Sequence, residues 1–106
     1  MADFTTAIQI DPKYAMAYNN RGNTYADLKD YDKALADYTS AIQIDPTFAM
    51  AYYNRGRTYY DLKDYHKALA DYTSAIQIDP KFANAYHSRG LTFRDLKDYS
   101  NAFSDY

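Results

Sequence analysis

The sequence predicts an all-α fold, an array of antiparallel helix pairs, on the basis of three observations. The chain has 106 residues and repeats with a period of 34, because segment 15–48 returns as 49–82 with only five changes. Each unit holds two stretches whose apolar residues recur at helical spacing. A two-residue polar link, Lys29-Asp30 in the first unit, joins them. Because the link is so short, the two helices of a unit must run antiparallel.

The period divides the chain into four segments. The second half of a preceding unit covers residues 1–14, two whole units cover 15–48 and 49–82, and an incomplete unit covers 83–106. Units of such an array contact only their neighbours, so we expect one continuous domain.

The first helix of a unit is predicted over residues 15–28. Its packing side carries large residues, namely Tyr18, Arg21, Tyr25 and Leu28. The opposite side is richer in amides, with Met16, Asn19, Asn20 and Asn23. Asp45-Pro46 and Asp79-Pro80 fit an N-cap followed by a proline at the first helical position, so we expect the prolines, Pro12 among them, to start helices.

The second helix is predicted over residues 31–44, with Asp30, Asp64 and Asp98 as the capping residues of the three units. Small residues at Gly22, Ala34 and Ala41 allow close approach of helices, and aromatic side chains fill the spaces between them. The same pattern recurs in each unit and predicts a core repeated in series.

An arginine lies on the packing side in every unit, at Arg21, Arg55 and Arg89. Burying its charge without a partner is costly. We therefore hypothesise that these arginines pair with the aspartates that recur at Asp3, Asp37, Asp71 and Asp105. The pair could form within one unit or with the previous one, and the arginines could instead extend to solvent.

Composition excludes several classes of function. With 12 Lys and Arg against 14 acidic residues, the net charge is −2, so binding to nucleic acid is not expected. The chain has no cysteine, and no stretch approaches the roughly 20 apolar residues of a membrane span. No signal segment is visible either, so the cytoplasm is the default location.

The residue pattern also argues against catalysis. The two histidines, His66 and His87, lie in different helices and belong to no metal-binding motif. The recurring Asp27, Asp61 and Asp95 fit a structural or solubility role better than acid–base chemistry. We therefore expect no enzyme activity and no cofactor.

These rows of residues carry a resemblance. A 34-residue helix–turn–helix unit with aromatic, glycine, alanine and proline residues in this order resembles the tetratricopeptide repeat (TPR) family over the whole chain. The resemblance implies a right-handed superhelical solenoid with a concave inner groove lined by the first helices. In this family, extended peptides or partner helices bind in that groove.

The repeat units differ mainly along the amide-rich side of the first helix, where a ligand could bind. Asn19, Asn23 and Ala26 of the first unit become Tyr53, Arg57 and Tyr60 in the second. We expect this stripe not to pack, although surface drift after duplication would also explain the changes. The predicted peptide-binding residues are Asn19, Asn20, Asn23, Tyr53, Asn54, Arg57, Tyr60, His87 and Arg94.

The expected partner is a protein or peptide. Arg57 and Arg94 could attract an acidic or carboxylate-bearing one. One branch of the family holds the C-terminal carboxylate of chaperones, and Asn23 and Asn54 match two asparagines of that clamp. Its basic positions fall on Asn19, Asn84 and Ser88 here, so we do not predict binding of a chaperone tail.

Self-assembly is the alternative function. Both ends of the sequence fall at the same point of the second helix, because Ala2-Asp3-Phe4 is equivalent to Ser104-Asp105-Tyr106. Neither end carries a polar capping helix, which solenoids usually need. The residues at these ends, Phe4, Ala7, Ala102 and Tyr106, would then form contacts between copies of the chain.

Overall fold

The computed structural model describes the backbone of residues 14–104 and the side chains of residues 14–97. This part of the chain forms five helices and no strand, which confirms the all-α prediction. The helices are α1 (Ala15–Asp27), α2 (Tyr31–Ile44), α3 (Ala49–Asp61), α4 (Tyr65–Ile78) and α5 (Ala83–Ser104).

Consecutive helices pack on one another along the whole array, α1 on α2, α2 on α3, α3 on α4 and α4 on α5. The first helices of neighbouring units also touch, α1 with α3 and α3 with α5. The fold therefore has two layers, with α1, α3 and α5 in one and α2 and α4 in the other. This arrangement places the first helices side by side.

The core is built from tyrosine rings packed against small residues. Tyr38 and Tyr72 are each only 1% exposed, and the alanines Ala34, Ala41, Ala68 and Ala75 are fully buried. Leu28 differs from its prediction, because it is 66% exposed. It lies just beyond the end of α1, where the chain turns away from the core.

Lysines occupy the left-handed position that ends α1 and α3. Lys29 and Lys63 have φ values of 62° and 63°. The Lys29 N–H donates to the Ala26 carbonyl at 2.9 Å and the Asp30 N–H to the Tyr25 carbonyl at 2.8 Å. These two bonds form a Schellman motif, which satisfies the last carbonyls of α1 and reverses the chain within two residues.

The prediction that the prolines start helices is wrong for Pro46 and Pro80. The helices that follow begin three residues later, at Ala49 and Ala83. The Asp45 N–H still donates to the Ala41 carbonyl at 2.9 Å, so this residue ends α2. Its carboxylate accepts from the Thr47 N–H and hydroxyl at 3.1 and 2.7 Å, which makes a turn instead of an N-cap. Pro12 lies outside the described residues.

The aspartate caps are confirmed only in part. Asp64 accepts from the Lys67 N–H at 3.4 Å, whereas the Asp30 side chain makes no capping bond and lies 3.6 Å from Lys33 Nζ. Asp98 lies inside α5, which continues to Ser104, and therefore caps no helix.

The hypothesis of arginine–aspartate pairs is confirmed in both whole units. Arg21 makes two bonds of 2.7 Å to the Asp37 carboxylate, and Arg55 makes two bonds of 2.8 Å to Asp71. Each pair lies within one unit, and the bond to the carboxylate raises the pKa of each arginine. Arg55 also donates to Thr39 of the previous unit at 3.3 Å. Asp3 and Asp105 lie outside the described residues.

Candidate functional site: the surface of the first helices

Two recesses lie where neighbouring first helices meet. The first recess, between α1 and α3, has a volume of about 300 Å³. Its lining is mainly polar and consists of Asn23, Ala26, Asp27, Tyr38, Asn54, Arg57, Thr58 and Asp61.

The second recess, between α3 and α5, is the same site one unit later. Each of its lining residues, Arg57, Tyr60, Asp61, Tyr72, Ser88 and Leu91, lies 34 positions after a residue of the first. Its volume is only about 100 Å³. Tyr60 stands where the first recess has Ala26, and its hydroxyl donates to Asp95. The larger side chain at this position therefore accounts for the smaller space.

Pairs of polar residues 35 positions apart connect the first helices. Asn54 Nδ2 donates to Asn19 Oδ1 at 3.0 Å, and the equivalent pair one unit later is Tyr53 and Ser88, whose hydroxyls are 3.5 Å apart. Asn19 and Asn54 are 2% and 6% exposed. These two predicted binding residues therefore bond to each other in the described structure.

The expectation that the variable stripe does not pack is wrong for its two tyrosines. The Tyr53 ring lies against Phe82 and Tyr72, with centroids 4.9 and 5.8 Å away. The Tyr60 ring lies 5.5 Å from that of Tyr65. The tyrosines are half-buried because their rings pack against α4 and the segment before α5, while their hydroxyls reach Ser88 and Asp95 of α5.

Arg57 is the exposed cation at the centre of this surface. Its guanidinium lies 5.8 Å from the centre of the Tyr53 ring, and its side chain lines both recesses. Within the part of the chain whose side chains are described, Arg57 makes no ion pair. It is therefore a positive group held in place by an aromatic ring, with its charge open to a ligand.

The other predicted binding residues lie around this centre. The Asn23 amide oxygen accepts from the Tyr38 hydroxyl at 2.5 Å. Asn20 is half-buried, and among the described residues only its main-chain oxygen forms a hydrogen bond with a side chain, accepting from the Thr24 hydroxyl at 3.3 Å. His87 is exposed. The Arg94 side chain is 68% exposed and its Nε lies 4.0 Å from Asp95.

The tyrosine hydroxyls at the bottom of the recesses are shielded from water. Burial raises the pKa of Tyr38 to about 12, and it raises that of Tyr72 as well. The positive charge of Arg57 opposes the shift at both hydroxyls, so it acts on both recesses. The hydrogen bond to Asp95 raises the pKa of Tyr60 to about 12.

The repeat pattern matches a known family. The family model of the tetratricopeptide repeat matches residues 15–48 and 49–82, which are the two whole units. The chain belongs to the tetratricopeptide repeat family. No curated protein sequence matches it significantly.

Solved TPR structures share the fold of this TPR chain, which is a right-handed superhelical solenoid. The first TPR of Spaghetti (RPAP3), bound to the HSP90 peptide SRMEEVD, superposes with a TM-score of 0.85 at 23% identity, over 89% of this chain and 75% of that one. The Arabidopsis OM64 TPR domain gives 0.84 at 28% identity, over 87% and 76%.

YrrB, described as a TPR protein with an unusual peptide-binding site, also superposes on this TPR array. Its TM-score is 0.84 at 26% identity, covering 89% of this chain and 48% of that one. This chain thus spans about half of YrrB.

Sequence reasoning missed several residues that line the recesses of this TPR surface. Asp27 and Asp61 were assigned to structure or solubility, yet they line the first recess and Asp61 lines both. A signal was available, because Asp27 lies four positions after Asn23 and so shares its side of the helix. The pair Asn19 and Asn54 is replaced one unit later by Tyr53 and Ser88. Because both members change together, this substitution also indicates a contact between units.

The described part of this TPR chain contains no group of three metal-binding side chains. Within the same residues, no helix combines the length and the apolar character needed to cross a bilayer.

Proposed function

We propose that this TPR array is a protein-interaction scaffold that binds an extended segment of a partner protein along α1, α3 and α5. Arg57 carries the proposal, because it is an exposed cation, lies on an aromatic ring and borders both recesses. An arginine in this setting binds carboxylates well, since its planar donors match the two oxygens. The preferred partner is therefore a segment with an acidic side chain or a free C-terminal carboxylate.

The two recesses would receive side chains on either side of that anchor. The first recess offers amide, hydroxyl and carboxylate groups, so it suits a polar side chain. The second is smaller and is bordered by Tyr60 and Leu91, so it suits a small apolar side chain. Asn20, His87 and Arg94 would contact the segment beyond the recesses.

Peptide binding by TPR proteins of similar fold supports this proposal. The Spaghetti domain is bound to an HSP90 peptide, and YrrB is described as having a peptide-binding site. The chaperone-tail ligand itself is not proposed for this chain. Asn19 and Ser88 stand where that clamp has basic residues, and Asn19 is buried against Asn54. We propose no catalytic activity.

The test is a binding assay on an array of peptides of equal length. The peptides carry acidic, neutral or basic side chains, and each is made with a free C-terminal carboxylate and with an amide. The variant is Arg57→Asn, because Asn23 occupies the equivalent position in the first unit. The matched control is Lys81→Thr, which also removes one positive charge and also installs the first unit's residue, Thr47.

We expect the intact chain and Lys81→Thr to bind the acidic or carboxylate-ended peptides equally. Arg57→Asn should bind them about tenfold more weakly, which corresponds to about 1.4 kcal/mol. Equal affinities of all three chains would disprove the role of Arg57. Absence of binding to every peptide would disprove the peptide-binding function for these ligand classes.

Self-assembly through the terminal helices is the second candidate function. One described feature favours it, namely the exposed aromatic side chains Tyr86 and Phe93 on α5.

A further inference from the structure

The two recesses are equivalent sites, but only the second is lined by an aromatic side chain of a first helix. Tyr60 lines the second recess, and Ala26 occupies the equivalent position of the first. The Tyr60 ring packs beside that of Tyr65, and its hydroxyl reaches from α3 to α5 to donate to the Asp95 carboxylate. The chain thus places a phenol of its own in the second recess.

The aspartate that accepts from this phenol has an equivalent in the first recess. Asp61 lies 34 positions before Asp95. Asp61 lines the first recess, whereas Asp95 does not line the second, because the Tyr60 hydroxyl lies in front of it. The Asp95 side chain is 25% exposed, and Asp61 belongs to the exposed residues. Asp61 therefore presents to solvent the carboxylate that Tyr60 covers one unit later.

The place of that phenol is open in the first recess. Ala26 is too short to reach the Asp61 carboxylate, which forms no ion pair and accepts no hydrogen bond within residues 14–97. The volume of the first recess is about 300 Å³, against about 100 Å³ where Tyr60 is present. The larger space and the open carboxylate therefore belong to the same recess.

The surroundings of the first recess also suit an aromatic ring. The Tyr38 ring lies at its bottom and is 1% exposed, so an entering ring would meet an aromatic surface. Tyr31 is the equivalent of Tyr65, which packs beside Tyr60, and it is half-buried. A ring in the first recess would therefore have the same kind of aromatic neighbour that Tyr60 has.

A phenol fits this recess better than the other side chains that would enter it. A phenylalanine would remove the Asp61 carboxylate from water without giving it a hydrogen bond, which is costly. An acidic side chain would be repelled by Asp61, and a lysine would bring its charge close to Arg57, which lines the same recess. A tyrosine offers both the ring and a neutral donor at its tip.

We propose that the first recess receives a tyrosine side chain of the partner segment, whose ring fills the space beside Ala26 and whose hydroxyl donates to Asp61. This inference rests on the proposed function and makes it more specific, because it adds a tyrosine near the carboxylate that Arg57 binds. Ala26 then determines specificity, since a larger residue at this position closes the recess. Tyr60 closes the second recess in this way.

The test uses acidic peptides of equal length with a free C-terminal carboxylate, in which tyrosine, phenylalanine or lysine is placed at each position in turn. The intact chain should bind the best tyrosine peptide about tenfold more tightly than the phenylalanine peptide of the same register, because the hydroxyl adds a hydrogen bond to a charged group. Ala26→Tyr copies Tyr60 into the first recess. This variant should bind both peptides equally and more weakly than the intact chain does.

Asp61→Asn and Asp95→Asn form a matched pair of variants, because each removes one negative charge at equivalent positions. Asp61→Asn should reduce the preference for tyrosine over phenylalanine to about threefold or less, since a neutral amide accepts a weaker hydrogen bond. Asp95→Asn should keep the full preference, because Asp95 is bonded to Tyr60. Circular dichroism checks that each variant retains its helices. The same preference in both variants would overturn the role of Asp61.

Failure of this inference is distinct from failure of the proposed function. If the acidic peptides bind through Arg57 but tyrosine gives no advantage at any position, the tyrosine proposal is wrong and the scaffold function stands. A larger gain from lysine than from tyrosine would also overturn it, because the recess would then be a cation site. Absence of binding to every peptide would overturn both.

Discussion

Tyr38 packs its ring directly on the backbone of Gly22, so that a Cβ on this glycine would lie 2.7 Å from Tyr38 Cε1. The ring is 1% exposed and cannot move aside into solvent. The close approach explains why a glycine lies in the middle of a helix, where it is otherwise unfavourable. The same contact recurs between Gly56 and Tyr72 and is missing at Gly90.

Alanine at Gly22 and at Gly90 should therefore have opposite effects. Gly22→Ala should lower the free energy of unfolding by about 1–2 kcal/mol, because overpacking outweighs the gain in helix propensity. Gly90→Ala should raise it by up to about 1 kcal/mol, since only the propensity changes. Urea unfolding at a concentration where the chain is monomeric measures both. Shifts in the same direction would contradict the packing argument.

Removal of the buried carboxylate at Asp71 should be strongly destabilising. Asp71→Ala leaves the Arg55 guanidinium without its two hydrogen bonds, and breaking a buried pair costs about 3–5 kcal/mol. The control is Lys33→Ala, which removes an exposed ion pair with Asp30 and should change stability by less than about 1 kcal/mol. Thermal unfolding compares the two, and equal losses would argue against the special role of the buried pair.

The amide pair between α1 and α3 should be a stability element. Asn54→Ala leaves the buried Asn19 oxygen without a donor, which should cost about 1–3 kcal/mol. Asn20→Ala is the matched control, because the Asn20 side chain makes no described hydrogen bond, and it should stay within about 0.5 kcal/mol. If Asn54→Ala leaves the unfolding free energy unchanged, the pair does not hold the units together.

The fold should lose stability in alkaline solution. The pKa values of Tyr38 and Tyr60 are raised from 10.0 to about 12, and that of Tyr72 is raised too. A raised pKa means that the folded state favours the protonated phenol. This contribution is complete below about pH 10 and is lost as the pH rises towards about 12.

Unfolding free energies measured from neutral to alkaline pH should decline in that window. Tyr38→Phe, which has no phenolic proton, should show a shallower decline than the intact chain. An unchanged slope in this variant would show that Tyr38 is not among the tyrosines responsible.

The tertiary structure decided that Arg21 pairs with Asp37 of its own unit, because the sequence had left the previous unit and solvent open as alternatives. The sequence alone determined the repeat and the helix type. These features depend on local spacing, and an internal repeat shows the same spacing twice. The end of α1 was predicted within one residue, because the polar link Lys29-Asp30 interrupts the helical pattern. The role of Asp45-Pro46 at the start of α3 was predicted wrongly, because this pair has the composition of an N-cap but also fits the turn that it forms.

The tertiary structure alone decided what the variable stripe touches. Helical periodicity places Asn19, Tyr53 and Tyr60 on one side of the first helices but does not give the distance to the next helix. Neighbouring first helices lie close enough for Asn19 to reach Asn54 and for Tyr60 to reach Asp95. The crossing of packed helices sets that distance, and it is a property of two units together. The packing of the two units leaves Arg57 exposed between the two recesses. It brings other residues of the stripe into contacts between units, namely Asn19, Tyr53, Asn54 and Tyr60.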